Sequence, residues 1–330
     1  MRTQICITTD IEFSIGGAFS DPVRNRPIGD PHVTCFAENK ENGLGFLLDT
    51  FSQYGIDATF FVETLQSTYF GDAPMGRIVE RILKAGQDVQ LHIHPCWLTF
   101  QNRDWPTQVA QARPNDDCDG RSLSEMRTLI EEGIKRLLRL CSQPPIAMRT
   151  GNLRADRTIY EAMSLCNLHL ASNVGMAVFP PGDQALRLTG GRHWIGDVLE
   201  VPVLTYTQLP ISGTRQFRLL TITASSWREI ESLLWQARER NVETIVVLTH
   251  AFEYVKWDRK HINRINKRRL ERLCRFIYSH PQEFVATSFR GSAPSWLNSP
   301  TQPAHALRAP LGAVLYRVAQ NAANDRFLRL

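Results

Sequence analysis

The chain alternates two kinds of segment almost from end to end, and that alternation admits few folds. Short β-branched or apolar runs at 5–9, 58–62, 89–94, 146–148, 169–171, 199–203, 244–248 and 284–287 predict strands. Between them, apolar residues recur at helical spacing over 42–54, 77–85, 124–140, 156–166, 226–240 and 263–280. The helix at 124–140 is the clearest: Met126, Leu129, Ile130, Ile134, Leu137 and Leu138 form one stripe, and Ser122 or Ser124 supplies a cap. Strands separated by helices predict a parallel sheet with crossover connections. At 330 residues the chain exceeds a typical single domain but suits one α/β barrel.

Three segments break the rhythm. Residues 13–38 are rich in Gly, Pro, Asp and Asn and predict a loop over the C-terminal ends of the strands. Residues 97–120 form a second loop, with several aromatics and the pair Asp116-Asp117. After Gly291 the composition shifts: 292–310 holds four prolines and predicts a linker or surface arm, and 311–330 a helix packing on the body. The expected division is thus a barrel over 1–291 and a Pro-rich linker with a helical arm over 292–330.

The polar residues with chemical potential stand at strand ends, where barrel folds build active sites. His92 and His94 sit two apart on an alternating run, so both imidazoles face one side and can reach one metal ion. Asp10 and Glu12 end the first strand at the same spacing, which suits one carboxylate as metal ligand and the other as base toward water. Arg149 ends the fourth strand, and its planar fork can hold a carboxylate or bind an anionic substrate group. Glu200 lies inside an apolar strand and needs a partner, for which Arg149 is the natural candidate. His250 closes the most hydrophobic strand, well placed as a general acid.

Taken in order, Thr8-Thr9-Asp10-Ile11-Glu12, His92-Ile93-His94-Pro95, Arg149-Thr150-Gly151-Asn152, Leu199-Glu200-Val201-Pro202 and Leu248-Thr249-His250 resemble the five motifs of the polysaccharide deacetylase family, carbohydrate esterase family 4. The resemblance spans residues 3–290 and is closest to divergent, signal-less members linked to surface-polysaccharide biosynthesis. It implies a distorted (β/α) barrel and metal-dependent removal of an acetyl or similar acyl group from an amino sugar or sugar precursor. It implies a divalent metal, zinc by preference, held by His92, His94 and Glu12 or Asp10, with Gln90 as an alternative occupant of the shell. Asp10 would then be the base and His250 the acid, with Arg149 and Glu200 paired behind them to orient the base or tune His250. The chain departs from the family pattern in three places. Ile11 stands where the family has its second adjacent aspartate, the histidines are two apart instead of four, and Gly151 stands where proline is frequent. A catalytically inactive carbohydrate-binding relative is the alternative expectation.

Composition narrows the partners. A net charge of +5 spread along the chain is weak support for a polyanion partner. The basic residues of 256–275 are interleaved with Ile262, Ile265, Leu270, Leu273, Phe276 and Ile277, which predicts an outer barrel helix and no nucleic-acid site. No apolar stretch reaches membrane-spanning length. Seven scattered cysteines without a CxxC pair, after an N-terminus without a signal pattern, predict reduced thiols and a cytoplasmic location. A carbohydrate partner is expected, with Trp97 and Trp105 as candidates to stack on a sugar ring, the alternative being that they pack on the body. The oligomeric state is left open.

Overall fold

The computed structural model describes residues 2–208 and 216–326, with side chains to residue 322. One ten-stranded sheet curls through the molecule. Its strands are β1 (Thr3–Ile11), β2 (Thr59–Glu63), β3 (Asp88–Ile93), β4 (Ala147–Thr150), β5 (Leu170–Ala171), β6 (Gly191–Ile195), β7 (Val198–Glu200), β8 (Thr244–His250), β9 (Phe284–Ala286) and β10 (Gln302–Pro303). The spatial order is β8-β1-β2-β3-β4-β5-β7-β6-β10, with β9 pairing parallel to β1 off this path. From β8 through β7 every pair is parallel, as the alternation predicts. β6 and β10 join antiparallel. The chain leaving β7 closes the circle: Val203 bridges Val246 and Thr221 bridges Leu248, both parallel, on the open edge of β8. The result is a distorted barrel.

The helices cover the outside: α1 (Leu44–Tyr54), α2 (Ala73–Lys84), α3 (Leu123–Leu140), α4 (Arg157–Leu165), α5 (Trp227–Glu239) and α6 (Arg264–Ser279). Ser122 caps α3 and Ser226 caps α5, each through a reciprocal pair with the glutamate three residues on. α6 turns Leu270, Leu273, Phe276 and Ile277 inward, as its sequence stripe requires.

Strand alternation sorts the sheet into two faces. Ile5, Ile7, Val62, Leu91, Ile93, Met148, Ile245 and Val247 belong to the core under the helices. Cys6, Phe61, Ala147, Leu199, Val246 and Leu248 form a second cluster inside the barrel. Its floor is α7 (Phe289–Trp296): Phe289 packs on Phe61, and the Trp296 Nε1 donates to Gln4 Oε1 at 2.7 Å. The interior is apolar at this end and polar at the other.

The expected break at residue 291 falls inside α7, whose Trp296 is completely buried. Beyond it β10 extends the sheet, and Leu307–Arg308 pairs with Thr205–Gln208. α8 (Leu311–Arg326) then docks through buried Arg317, which donates to Glu229 at 3.1 Å and Gln208 at 2.7 Å. Prolines here shape a strap held by edge pairing, because proline can occupy a strand edge without a donor. Residues 327–330 of the expected arm lie outside the described residues. All seven cysteines are free. No described helix is long and apolar enough to cross a membrane.

Candidate functional site

Side chains on the inward face of β1, β3, β4 and β8 carry the polar end of the barrel. At β1 the pleat sends Asp10 inward, and Glu12 follows on the same side as the strand ends. At β3 it does the same for His92 and His94. One ligand atom from each of Glu12, His92 and His94 lies within 4.8 Å of the others. The Glu12 Oε2 is 3.0 Å from His94 Nε2 and 3.6 Å from His92 Nε2. A carboxylate and two imidazoles converging this way form a donor set suited to zinc and similar ions.

Each imidazole is fixed from behind. The His92 Nδ1–H donates to the Arg149 carbonyl oxygen at 2.8 Å, which turns Nε2 toward Glu12 as a lone pair. The His94 Nδ1–H donates to Asp116 Oδ2 at 2.7 Å. Asp116 is itself held by Asn152 Nδ2 at 3.1 Å and the Cys96 N–H at 3.3 Å. Burial alone would lower the His94 imidazole, but the facing carboxylates Glu12 and Asp116 outweigh it and hold it well above the ordinary histidine range. Burial alone would raise Glu12, and the charge and hydrogen bonds of His94 and His92 hold it well below the carboxylate range instead. The site therefore concentrates negative charge that a proton on His94 now balances, and a divalent cation can take over that balance.

Gly151 makes room for this. A Cβ there would come within 2.5 Å of His94 Nδ1. The glycine of the arginine motif is what lets the His94 ring stand against Asp116.

Asp10 sits beside the triad. Its Oδ1 accepts from Arg149 Nη1 at 2.7 Å. Its Oδ2 faces His92 Nε2 at 4.0 Å and His250 Nε2 at 3.8 Å. Arg149 is fully buried, stacked 4.3 Å over the Phe61 ring, and its other donors go to the Ser172 carbonyl and hydroxyl. His250 closes the far side. Its Nδ1–H donates to Glu253 Oε1 at 2.9 Å, and Thr249 and Tyr254 complete that network. Burial alone would lower His250, but the Glu253 hydrogen bond and the charges of Glu253, Asp10 and Glu12 raise it to about 9.

The structure thus gathers Asp10, Glu12, His92, His94, Arg149 and His250 in one cluster. Glu200 behaves differently from expectation. It does not hydrogen-bond Arg149, which spends its donors on Asp10 and Ser172. Glu200 instead accepts from Tyr160 at 2.9 Å and from the Asn173 and Val174 N–H groups at 3.0 and 3.1 Å. Burial pushes its carboxyl up to about 7 against those donors. It holds the 172–174 segment, from which Ser172 reaches Arg149. Gln90 is also excluded from a ligand role: it is fully buried below the site, donating to Asp88 and accepting from the Ile146 and Ala147 N–H groups. Trp97 and Trp105 are 2% and 8% exposed, packed with Phe70 and Phe100, and so cannot stack on a sugar.

Three contributors went unassigned in the sequence: Asp116, Ser172 and Glu253. Glu253 was legible in principle, since a carboxylate three residues after His250 comes back within reach on a helical turn. Asp116 and Ser172 reach the site only through tertiary folding and carry no local signal.

No family model and no curated protein matches the sequence. Among solved structures, a crystal structure from Mycobacterium smegmatis assigned as a polysaccharide deacetylase matches with a TM-score of 0.53 and 13% identity, covering 92% of this chain and 94% of that one. A CE4 domain of a multidomain xylanase from the hindgut metagenome of Trinervitermes trinervoides matches at 0.42 and 12%, covering 94% and 98%. A CE4 family pseudoenzyme from Bacillus anthracis matches at 0.44 and 10%, covering 94% and 70%. At such identities the first likeness is one of fold.

Proposed function

We propose that this chain, which shares its fold with a polysaccharide deacetylase, is a metal-dependent hydrolase that removes an acetyl or similar acyl group from an amino sugar or sugar precursor. The observation that carries the proposal is the convergence of Glu12, His92 and His94 on one point beside Asp10 and His250. Glu12, His92 and His94 would hold the ion, and the donor set favours zinc. When bound, the ion supplies Lewis acidity toward an acyl carbonyl and a water.

The rest falls to the protein. Asp10 Oδ2 is the oxygen left open after Arg149 takes Oδ1, so it accepts the proton of the attacking water. Arg149 fixes the direction of that oxygen. His250, protonated at neutral pH, gives its Nε2 proton to the departing amine. Glu253 holds the ring in that orientation and stabilises its charge. The seven free cysteines support a reducing, cytoplasmic setting.

The test is elemental analysis of the purified protein with acetate release from N-acetylated sugars. One equivalent of metal is expected, lost together with turnover in His92→Ala. Full activity in a metal-free His92→Ala protein overturns the proposal, and metal binding without acetate release leaves a carbohydrate-binding barrel.

The acid role has a pH signature. Turnover should fall on the alkaline side as His250 loses its proton, near pH 9. Glu253→Gln removes the carboxylate that raises it, so the falling limb should move down toward the ordinary histidine value of about 6.5. His250→Ala should slow turnover by roughly 10²–10⁴-fold. An alkaline limb unmoved in Glu253→Gln would exclude His250 as the titrating acid.

A further inference from the structure

A cavity of about 870 Å³ lies beside the catalytic cluster, within the size range of small-molecule sites. Its inner wall is shared with the site. Glu253, which holds His250, lines it, and so does Phe252, whose ring centroid is 5.0 Å from that of His250 and 4.5 Å from that of His32. Its outer wall carries Lys256, Trp257 and Arg259.

Trp257 is 98% exposed. An indole left fully in water at the mouth of a cavity is a ready face for a sugar ring, since aromatic faces pack well on apolar ring surfaces. The cations beside it are unspent. Among the described residues, neither Lys256 nor Arg259 has a carboxylate within ion-pair distance, and the neighbouring Asp258 turns to His261 instead. The Arg259 guanidinium donates to His32 Nδ1 at 2.8 Å, which aims it across the cavity. His32 accepts because it stays neutral: burial and the adjacent guanidinium lower it to about 4. Arg259 holds this position with a left-handed backbone, φ 56°, a conformation costly for a side chain of this kind. Among the described residues, the one carboxylate lining the wall, Glu253, is committed to His250 and Thr249.

We propose that this cavity is a subsite for an anionic group, phosphate or carboxylate, carried by the sugar substrate, with Trp257 against the ring and Arg259 and Lys256 on the anion. The inference rests on the carbohydrate substrate proposed above and specifies its class: an acidic or phosphorylated amino sugar in preference to a neutral one. An arginine suits both anions through paired donors.

Calorimetric binding to the full-length protein tests it with three probes: N-acetylglucosamine, N-acetylglucosamine 1-phosphate and N-acetylmuramic acid. At least one anionic sugar should bind about tenfold or more tightly than the neutral one. The better of the two names the anion. The double variant Lys256→Gln/Arg259→Gln should erase that gap while keeping the affinity for N-acetylglucosamine, and Trp257→Ala should weaken all three. Equal affinity for the three probes, or a gap that survives in the double variant, overturns the proposal. Binding is read without turnover, so loss of acetate release leaves this result standing, and its failure leaves the metal test untouched.

Discussion

Asp10→Asn should lower acetate release by about 10²–10⁴-fold while leaving the metal content unchanged. The substitution keeps the shape of the side chain and removes only its ability to take a proton. Asp10 is outside the donor set of Glu12, His92 and His94, so elemental analysis should still find one equivalent. The contrasting variant is Glu12→Gln, which should lose both metal and turnover. If Asp10→Asn loses the metal and Glu12→Gln retains it, the two carboxylates have exchanged roles. The comparison must be made on folded protein, because Asp10 also balances the buried Arg149 charge. Circular dichroism and a denaturation curve settle that point.

Arg149→Met should destabilise the fold by about 3–5 kcal/mol, the usual cost of leaving one member of a buried ion pair alone. The 2.7 Å Asp10 contact and the Ser172 contacts all disappear, and a carboxylate is left inside the barrel without its cation. Methionine retains much of the packing on Phe61, so the loss reports charge and hydrogen bonding more than volume. The double variant Arg149→Met/Asp10→Asn should recover part of the stability, because no unpaired charge remains. Chemical denaturation of the four proteins gives the coupling directly. Additive effects would show that Asp10 and Arg149 do not act as a pair.

The architecture was legible because two periodicities alternate cleanly. Period-two runs such as 244–250, with Val246 and Leu248 facing inward and Val247 outward, set both the strand and its inner face. Strand-end chemistry followed from the same alternation: His92 and His94 share a face because the strand forces them to. What stayed hidden was pairing across the barrel. Glu200 and Arg149 both lie on barrel strands and are of opposite charge, yet Asp10 and the 172–174 segment with Ser172 decide their partners, and none of these is local to either. The tail misled for a related reason. Its prolines resemble those of a linker, while its edge pairing and the buried Arg317–Glu229 contact depend on residues some hundred positions earlier.

Arg149 serves the site twice, through its guanidinium on Asp10 and through its carbonyl on His92. The two services differ in how they can be lost. A codon change erases the first, whereas every amino acid brings the same carbonyl and preserves the second. Under the proposed roles, loss of the Arg149 side chain has a direction: Asp10 loses the group that orients it, while His92, one of the residues that would hold the ion, keeps its tautomer. A substitution at Arg149 would therefore forfeit hydrolysis before ligand capture, to the extent that the fold survives the loss of the buried ion pair.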